Sequence, residues 1–535
     1  MRNPTPILMQ NNAKKSYGLG AGGFSRGMNS DPFTGQGFQV AQGVKRNNGR
    51  MEKLPGDTLA YDFGDSVSIV AIYAYEKSDG TFQVLNFIND GTTVKLRAQA
   101  ADGTIVTPSG GLGDVDFGSD NIQYEQISLT GYITSFTKSV YYLWNGTTLT
   151  SFSGNASVTS VSKEGKRLNW TTQGEAAFSG ANANPLTGLG TGSADLAFGN
   201  YTPNISGTPT GIFSGSSGTL IWFTSGCERH NIVSYDDGSG LRPDTRNIDF
   251  QYKGDGIDRP EQFTFGKYFG YAVNKSGIIR IDPQTGSPVN LLEEEKSTKS
   301  FRIKEYFDTF DQTNTSIAYA AKEQIVFITM NTNQTGVNDI NILYHEPTGD
   351  FYVLPGTYDT LGVVNEELYA GSSVDGKLFR VFDRTTYTDG YGNSRVTRLI
   401  SEWDTMGDQN TLKAPLDFFA FFNAHSESVV EINLYINGDI DTPVATFLHT
   451  PDDLVDTSSI VASLGNYTLG VGKNDNASNS DLIGKDSFSN PFITYCWEIK
   501  ETSNYPFIVN DIVVEYIGLN EVSQTTSLAN KQFKL

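Results

Sequence analysis

Histidines and neighbouring carboxylates are the residues of this chain that could carry out catalysis or bind a metal. No histidine lies two or four positions from another, which is the spacing that two metal ligands on one strand or helix would need. The histidines are His230, His345, His425 and His449. Paired carboxylates occur at Asp236/Asp237, Asp255/Asp258, Asp308/Asp311 and Asp452/Asp453. Because the chain has 60 acidic residues, such pairs arise by chance, and we predict no catalytic residues, no metal site and no cofactor.

Three short motifs resemble binding sites but lack the context that such sites need. The glycine run at 18–23 has no strand before it and no helix after it, unlike a phosphate-binding loop. The acids in 254–258 lack the full EF-hand spacing, so solvated loop acids are preferred over a calcium site. The segment 234–238 resembles an Asp-box but occurs once, which indicates an Asx-turn closing a hairpin.

Tryptophans could form a sugar-binding surface. Trp144, Trp170, Trp222 and Trp497 all lie in strand-like runs, where packing is the usual role of an indole. Only Trp403 lies in a predicted connection between strands.

Short β-branched and aromatic runs alternate with tight polar turns from about Ser66 onward. In the first such unit the turns are Asp79-Gly80, Asp90-Gly91 and Asp102-Gly103. Comparable units recur at intervals of about 43 to 57 residues, close to the length of a propeller blade. The pattern predicts an all-β chain with a degenerate β-propeller of roughly six blades over 61–390.

The hydrophobic pattern of the sequence changes after residue 390. Longer alternating strands such as SVVEINLYINGD and PFIVNDIVVEYIGL predict an antiparallel β-sandwich over 391–520, followed by a polar C-terminal tail over 521–535.

Residues 1–60 are rich in Gly, Asn, Gln and Ser and show no sustained period, which predicts an extended N-terminal arm. Residues 1–55 hold eight basic and two acidic residues, a net charge of +6, whereas the remainder holds 31 basic and 58 acidic residues, a net charge of −27. We expect the arm to lie against its own acidic propeller or a neighbouring subunit rather than on DNA. The interface candidates are Lys14, Lys15, Arg26, Lys45, Arg46 and Arg50.

The remaining sequence features indicate the cellular compartment in which the protein is made. Cys227 and Cys496 are interpreted as reduced thiols of a protein made in the cytosol, although a disulfide between them stays open. No apolar run approaches the roughly 20 residues of a membrane span, and the N-terminus has no apolar segment suited to a signal peptide.

The order of parts resembles the tail nozzle proteins of short-tailed bacteriophages, the tubular or DNA-stabilisation components below the portal and adaptor. The resemblance covers most of the chain in architecture, with motifs of low specificity. Its segments are FSRGMNSDPFTGQGFQVAQGVKRNNGRMEKLPG, then NDINILYHEPTGDFYVLPG and NEELYAGSSVDGKLFRVFD, then YTDGYGNSRVTRLISEW and KAPLDFFAFFNAHSESVVEINLYINGD.

The resemblance implies a structural, non-enzymatic role in a virion tail. It implies a homo-oligomer, a ring of six, bound to portal–adaptor proteins above and to tail fibre or distal plug proteins below. Double-stranded DNA would pass on the sixfold axis between subunits without sequence-specific binding, and no stable membrane insertion is implied. An acidic body suits such a conduit because like charge keeps DNA from adhering.

Two other classes of function stay open. One is a carbohydrate-binding propeller adhesin or lectin, which the missing signal peptide and cysteine framework disfavour. The other is a propeller glycosidase, which needs two carboxyl groups about 5–10 Å apart in a cleft, and spacing along the sequence does not reveal that distance.

Overall fold

The computed structural model describes residues 13–16, 38–48, 50–153, 157–165, 167–179, 199–201, 203–215, 218–234, 245–282, 285–293, 301–356, 358–372, 374–406, 412–425, 427–449, 480–486 and 490–518. Within these ranges the chain is almost entirely β, which confirms the predicted class. The helical elements there are one seven-residue helix, α1 (Phe301–Phe307), and one 3-10 turn (Pro260–Gln262).

Five strands precede the repeating units. They are β1 (Ala13–Ser16), β2 (Phe38–Gln42), β3 (Val44–Asn47), β4 (Arg50–Lys53) and β5 (Gly56–Asp62). Residues 38–62, which contain β2 to β5, are called the strap below.

The strap is followed by consecutive antiparallel sheets of four strands, here called blades. Blade 1 contains β6 (Ser68–Glu76), β7 (Phe82–Asn89), β8 (Val94–Gln99) and β9 (Ile105–Val106). Blade 2 contains β10 (Ile122–Ile127), β11 (Thr130–Ser135), β12 (Val140–Trp144) and β13 (Leu149–Ser153). Blade 3 contains β14 (Val158–Glu164), β15 (Arg167–Thr172), β16 (Ala176–Phe178) and β17 (Gly199–Asn200).

The next blades repeat the same up-and-down order. Blade 4 contains β18 (Pro209–Gly215), β19 (Gly218–Phe223), β20 (Gly226–Ser234) and β21 (Thr245–Lys253). Blade 5 contains β22 (Phe263–Phe265), β23 (Gly270–Asn274), β24 (Gly277–Ile281) and β25 (Pro288–Asn290). Blade 6 contains β26 (Asp311–Ala320), β27 (Ile325–Asn331), β28 (Ile340–His345) and β29 (Asp350–Pro355).

Blade 7 takes its last strand from the strap. It contains β30 (Thr360–Val364), β31 (Glu367–Gly371), β32 (Lys377–Asp383) and, on its outer edge, β5. The first strands of neighbouring blades pack side by side, except that β18 of blade 4 meets the 3-10 turn before blade 5. Because β30 also lies against β6, the blades close a ring. Among the described residues this makes a seven-bladed β-propeller rather than one of roughly six blades. The sequence of blade 7 contains only three consecutive strands, because its fourth strand, β5, lies some 300 residues upstream.

The turns of blade 1 form as the sequence predicts. Asp79, Asp90 and Asp102 each accept a hydrogen bond from the backbone N–H two residues further on, at 2.9 to 3.0 Å. Gly80, next to the first of these aspartates, has a φ of 77°, a left-handed conformation that glycine adopts without steric cost. These Asx-turns therefore set the lengths of the hairpin strands.

The second unit is a two-layered β-sandwich built from both ends of the chain. Its C-terminal strands are β33 (Thr397–Ser401), β34 (Lys413–Ala424), β35 (Val430–Ile436), β36 (Ala445–His449), β37 (Ser480–Asp486), β38 (Tyr495–Glu501) and β39 (Phe507–Gly518). One layer has the order β3-β4-β39-β34-β37, with β1 also paired to β39. The other layer is β2-β33-β38-β35-β36.

Blade 6 and the second layer are a single sheet. The order β26-β27-β28-β29-β2-β33-β38-β35-β36 runs through nine hydrogen-bonded strands. Strand β2 makes this join, because it pairs in parallel with β29 and antiparallel with β33. One core cluster accordingly extends from Phe327 in blade 6 to Trp497 and Val514 in the sandwich.

The predicted arm over 1–60 is thus extended but not free from residue 38 onward. Each of β2 to β5 is only four to seven residues long. Strands β3 and β4 form a local hairpin, whereas β2, β4 and β5 each pair with strands that lie hundreds of residues away. The predicted tail, 521–535, lies outside the described residues.

A buried carboxylate fastens the closing strand of the ring. Asp57 in β5 forms an ion pair with Arg395 and accepts a hydrogen bond from the Tyr358 hydroxyl. The backbone N–H of Phe382 donates to the same carboxylate at 3.2 Å. Asp57 is 2% exposed and Arg395 is 4% exposed, so each charge depends on the other for compensation.

We predict that Asp57→Asn lowers the free energy of unfolding by about 3–5 kcal/mol, because it leaves the Arg395 charge buried without its counterion. Urea unfolding followed by tryptophan fluorescence measures the change. Asp79→Asn is the matched control, since Asp79 is exposed and asparagine keeps the turn; its effect should stay within about 0.5 kcal/mol. Equal effects of the two substitutions would contradict the role given to Asp57.

Candidate interface at the N-terminal strap

Two of the predicted interface residues lie on carboxylates of blade 6. Lys45 in β3 forms an ion pair with Glu323, which sits in the turn between β26 and β27. Arg46 contacts Asp350 at 2.9 Å, and its backbone N–H donates to the Tyr352 hydroxyl at 2.9 Å. The basic residues of the strap therefore meet acidic residues of the chain's own propeller.

Glu323 is held by two cations, Lys45 of the strap and Arg384. Arg384, just after blade 7, donates to Glu323 Oε1 from Nε at 2.9 Å and from Nη2 at 2.7 Å. Burial by itself would raise the pKa of Glu323, but the ion pairs with Lys45 and Arg384 outweigh burial and lower that pKa. The carboxylate is consequently ionised at neutral pH.

The other predicted residues are not gathered at this place. Arg50 is exposed at the start of β4, in register with Asn47 of β3. Lys14 and Lys15 lie in β1, whose backbone pairs with β39 in the sandwich. Arg26 lies outside the described residues.

Lys53, the innermost cation of the strap, was not predicted from the sequence. Its Nζ lies 2.7 Å from Glu501 Oε2 and 2.6 Å from the carbonyl oxygen of Ser503. Both side chains of the ion pair are fully buried. Burial lowers the pKa of Lys53, and Glu501 opposes that shift. One signal in the sequence is its position two residues after Met51, because residues i and i+2 of a strand point to the same face, and Met51 is fully buried.

A further buried carboxylate joins blades 5 and 6. Glu346 accepts backbone N–H groups of Lys267 at 3.2 Å and Tyr268 at 3.1 Å, together with the hydroxyls of Tyr271 at 3.0 Å and Tyr319 at 2.9 Å. Four donors on one carboxylate offset much of the cost of burying its charge. The first hairpin of blade 5 is thereby fixed to the neighbouring blade.

Side chains of blade 2 and of the turn before blade 5 meet across the centre of the propeller. Glu261, in the 3-10 turn before blade 5, accepts a hydrogen bond from the Gln123 side chain of blade 2 at 2.9 Å. Beside Glu261 lies a cavity of about 200 Å³ whose polar lining includes Asp120, Arg259, Glu261 and Asp359. The central opening is bridged at this level by protein side chains.

The histidines do not converge on a site. His230 is buried and lies 3.1 Å from Glu228, a fully buried carboxylate that also accepts the backbone N–H groups of Asn204 and Ile205. His425 stacks on Tyr505 with ring centroids 3.6 Å apart, and the His449 ring packs near Phe422. In the part of the chain described above, no group of three or more His, Cys, Asp or Glu side chains could hold a metal ion.

The short motifs take structural positions where they are described. Asp255 accepts a hydrogen bond from Ser276, and the backbone N–H of Asp258 donates to Gln262 Oε1 at 2.7 Å. A Cβ on Gly256 would come within 1.7 Å of the Phe223 carbonyl oxygen, so glycine is required by this close approach. The run at 18–23 and the pairs Asp236/Asp237 and Asp452/Asp453 lie outside the described residues.

The tryptophans in strands are core residues, as predicted. Trp144, Trp170, Trp222 and Trp497 are at most 1% exposed. Trp403 is half-buried and packs against a small cluster containing Tyr435 and Cys496.

Comparison with known proteins gives structural neighbours only. No protein-family model matches the sequence, and no curated protein matches it. The computationally designed Ika8 protein is 12% identical, with a TM-score of 0.36 over 61% of this chain and 100% of that one. The extracellular domain of a protein named as a hybrid two component system from B. thetaiotaomicron is 11% identical, with a TM-score of 0.36 over 61% of this chain and 39% of that one. Apo AztD from Citrobacter koseri is 8% identical, with a TM-score of 0.33 over 58% and 97%. At these scores none of the three carries an argument about function.

We predict a pH-dependent loss of stability that His345 controls. Burial, followed by the cations Lys45 and Arg46, lowers the pKa of His345 to about 4, while Glu323 opposes the shift. The unfolded chain, with a histidine pKa near 6.5, binds more protons between about pH 6.5 and pH 4. The contribution of the neutral His345 imidazole to the free energy of unfolding is therefore present above about pH 6.5 and is lost as the pH falls towards 4.

His345→Gln should remove this component, so that the wild type loses about 3 kcal/mol more than the variant between pH 7 and pH 4. Urea unfolding at both pH values gives the difference. The matched control is His425→Gln, which alters a half-buried ring stacked on Tyr505. If His345→Gln follows the wild-type pH profile, the buried neutral imidazole is not the cause.

We also predict that both thiols are unreactive in the folded protein. Cys227 in β20 and Cys496 in β38 are buried and unpaired with each other. Burial raises the pKa of both thiols, that of Cys496 to about 12. Ellman's reagent at pH 8 should titrate no thiol before denaturation and two afterwards. Rapid reaction of either cysteine in the native protein would contradict this assignment.

Proposed function

We propose that this chain is a structural protein of a short-tailed bacteriophage tail, a nozzle subunit that forms a ring of six below the portal and adaptor. The observation that carries the proposal is the nine-stranded sheet that makes blade 6 and the outer sandwich layer one continuous body. At the join β2 pairs with β29 at one position, Gln42 with Val353, and one core cluster continues across it. Such shared packing resists bending far better than a flexible linker between separate domains does. A wedge-shaped subunit of a pressurised conduit needs such rigidity.

The charge distribution supports a conduit for DNA. The chain carries a net charge of −21, and the basic strap residues Lys45, Arg46 and Lys53 are neutralised by carboxylates of the same chain. Like charge lowers the affinity for phosphate and lets a duplex pass without adhering. In the proposed ring, the Gln123–Glu261 bridge leaves the DNA path on the ring axis between subunits, not along each propeller axis.

The partners in this proposal follow from the same assembly. Portal–adaptor proteins would contact one face of the ring, and fibre or distal plug proteins the other, in the virion tail after synthesis in the host cytoplasm. No enzymatic activity is proposed. No helix within the described ranges is long and apolar enough to cross a membrane.

One observation favours a second candidate, the carbohydrate-binding propeller. The cavity beside Glu261 is lined by Asp120, Arg259, Asn314 and Asp359, groups that hydrogen-bond readily to sugar hydroxyls. Its lining residues include no aromatic side chain, so it lacks the flat apolar platform on which a sugar ring stacks.

We expect the purified full chain to assemble into rings of six, alone or on portal–adaptor particles, and to bind duplex DNA negligibly even at 50 mM salt. Mass photometry over a range of concentrations and electron microscopy of the mixed particles measure assembly, and a gel-shift assay measures DNA binding. A chain that remains monomeric under all these conditions contradicts the nozzle. If that monomer also binds a glycan, and Glu261→Gln abolishes the binding while Glu76→Gln does not, the carbohydrate-binding function is favoured instead.

A further inference from the structure

One edge of strand β39 pairs with two different short strands, each along a different part of its length. The other edge of β39 pairs with β34 from Phe507 to Gly518. On the first edge, β4 pairs only with Ile508 and Val509, and β1 pairs with residues Val513 to Tyr516. Without β1, this part of the edge would present unpaired backbone N–H and C=O groups to any passing strand.

The edge belongs to the core of the sandwich. Ile512 and Val514 are fully buried, and Glu515 is only 8% exposed. A strand added here therefore completes a sheet whose inner face is already packed, and its gain comes mainly from backbone pairing. Such pairing depends on the strand's backbone and register, not on which copy of the chain supplies it.

The segment between β1 and β2 is long enough for β1 to reach a sheet other than that of its own chain. Residues 17–37 separate Ser16 from Phe38. Twenty-two residue steps reach up to about 70 Å when extended, whereas the two layers of a sandwich are about 10 Å apart. The connections within the strap are much shorter: a single residue separates β2 from β3, and two residues separate each of the next pairs of strands. Only residues 63–67 separate β5 from β6 of blade 1, so the strap stays beside its own propeller, whereas β1 need not.

Charge favours an acidic partner for the segment that carries β1. Residues 1–55 have a net charge of +6, and the body of every copy is acidic. The same attraction acts between neighbouring copies, and exchange of an identical element between protomers costs little because the contacts are preserved.

We propose that, in the assembled ring, β1 of one subunit adds to the β39 edge of the next subunit with the register Ala13–Tyr516 to Ser16–Val513. The occupant of the edge is thus a second copy of this chain. The inference rests on the proposed ring and deepens it, because exchange around a closed cycle leaves every edge covered and links each subunit to its neighbour.

Engineered cysteines at paired positions distinguish exchange from pairing within one chain. Ser16 and Val513 are Cα partners in the register, and directly opposed residues of antiparallel strands come close enough for a disulfide after a small shift. The native Cys227 and Cys496 are buried and do not compete. The full-length double variant Ser16→Cys/Val513→Cys is oxidised under native conditions and analysed on a denaturing, non-reducing gel.

Exchange predicts covalent products of two to six chains, and it predicts a two-chain product when Ser16→Cys and Val513→Cys single variants are assembled together and oxidised. Each single variant oxidised alone is the control and should stay as one chain. Mass photometry before oxidation reports whether rings are present.

Three outcomes would overturn the inference. A disulfide confined to single chains within intact rings contradicts exchange and leaves the nozzle function standing. A failure to cross-link in intact rings contradicts the β1–β39 pairing itself. A monomeric protein under all conditions removes the proposed function and the exchange with it.

Discussion

Backbone hydrogen bonding at strand edges is the constraint on which this structure depends. Seven four-stranded blades and two sandwich layers create many edges, and an unpaired edge invites aggregation. The strap covers three of them in 25 residues: β5 closes blade 7, β2 fills the gap between β29 and β33, and β4 lies on β39. Because one short segment pairs with all three edges, closure of the propeller and completion of the sandwich both require that segment to be in place.

Buried charges fix this segment in its place and register. Lys53 meets Glu501, Asp57 meets Arg395, and Lys45 meets Glu323, each at a position where a shift by one residue would leave a charge without its counterion. Ion pairs of this kind contribute little net stability, since desolvation cancels much of the attraction. Their effect is to make any other alignment of the strap costly.

Local features of the fold were predictable because they arise from neighbouring residues. The Asp-Gly turns of blade 1 and the alternating strands of 391–520 can be recognised in the sequence because hairpins are set by a few consecutive positions. The strap was not predicted as sheet. Its β3–β4 hairpin has only four residues in each strand, and β2 has no hairpin partner and pairs with residues 353 and 398–401. The charge imbalance indicated that Lys45 and Arg46 would meet acidic protein groups, but Glu323 and Asp350 could not be selected from 60 acids. Lys53, Asp57 and Arg395 were missed for the same reason: burial at these sites is decided by contacts across more than 300 residues.

The position of the strap near the N-terminus has a consequence for how the chain is made. Phe38 leaves the ribosome early, yet its partners on β33 and those of Met51 on β39 are synthesised some 360 and 460 residues later. At about 5–20 residues per second, the strap waits on the order of half a minute or longer before its final partners exist. Blades 1 to 6 can form their own hairpins during that time, but the ring cannot close before β32 is made, and the sandwich cannot be completed before β39 is made. The nascent chain thus exposes unpaired strand-forming backbone near its N-terminus for most of its synthesis, and its yield in the cell depends on keeping that segment from pairing with other nascent chains.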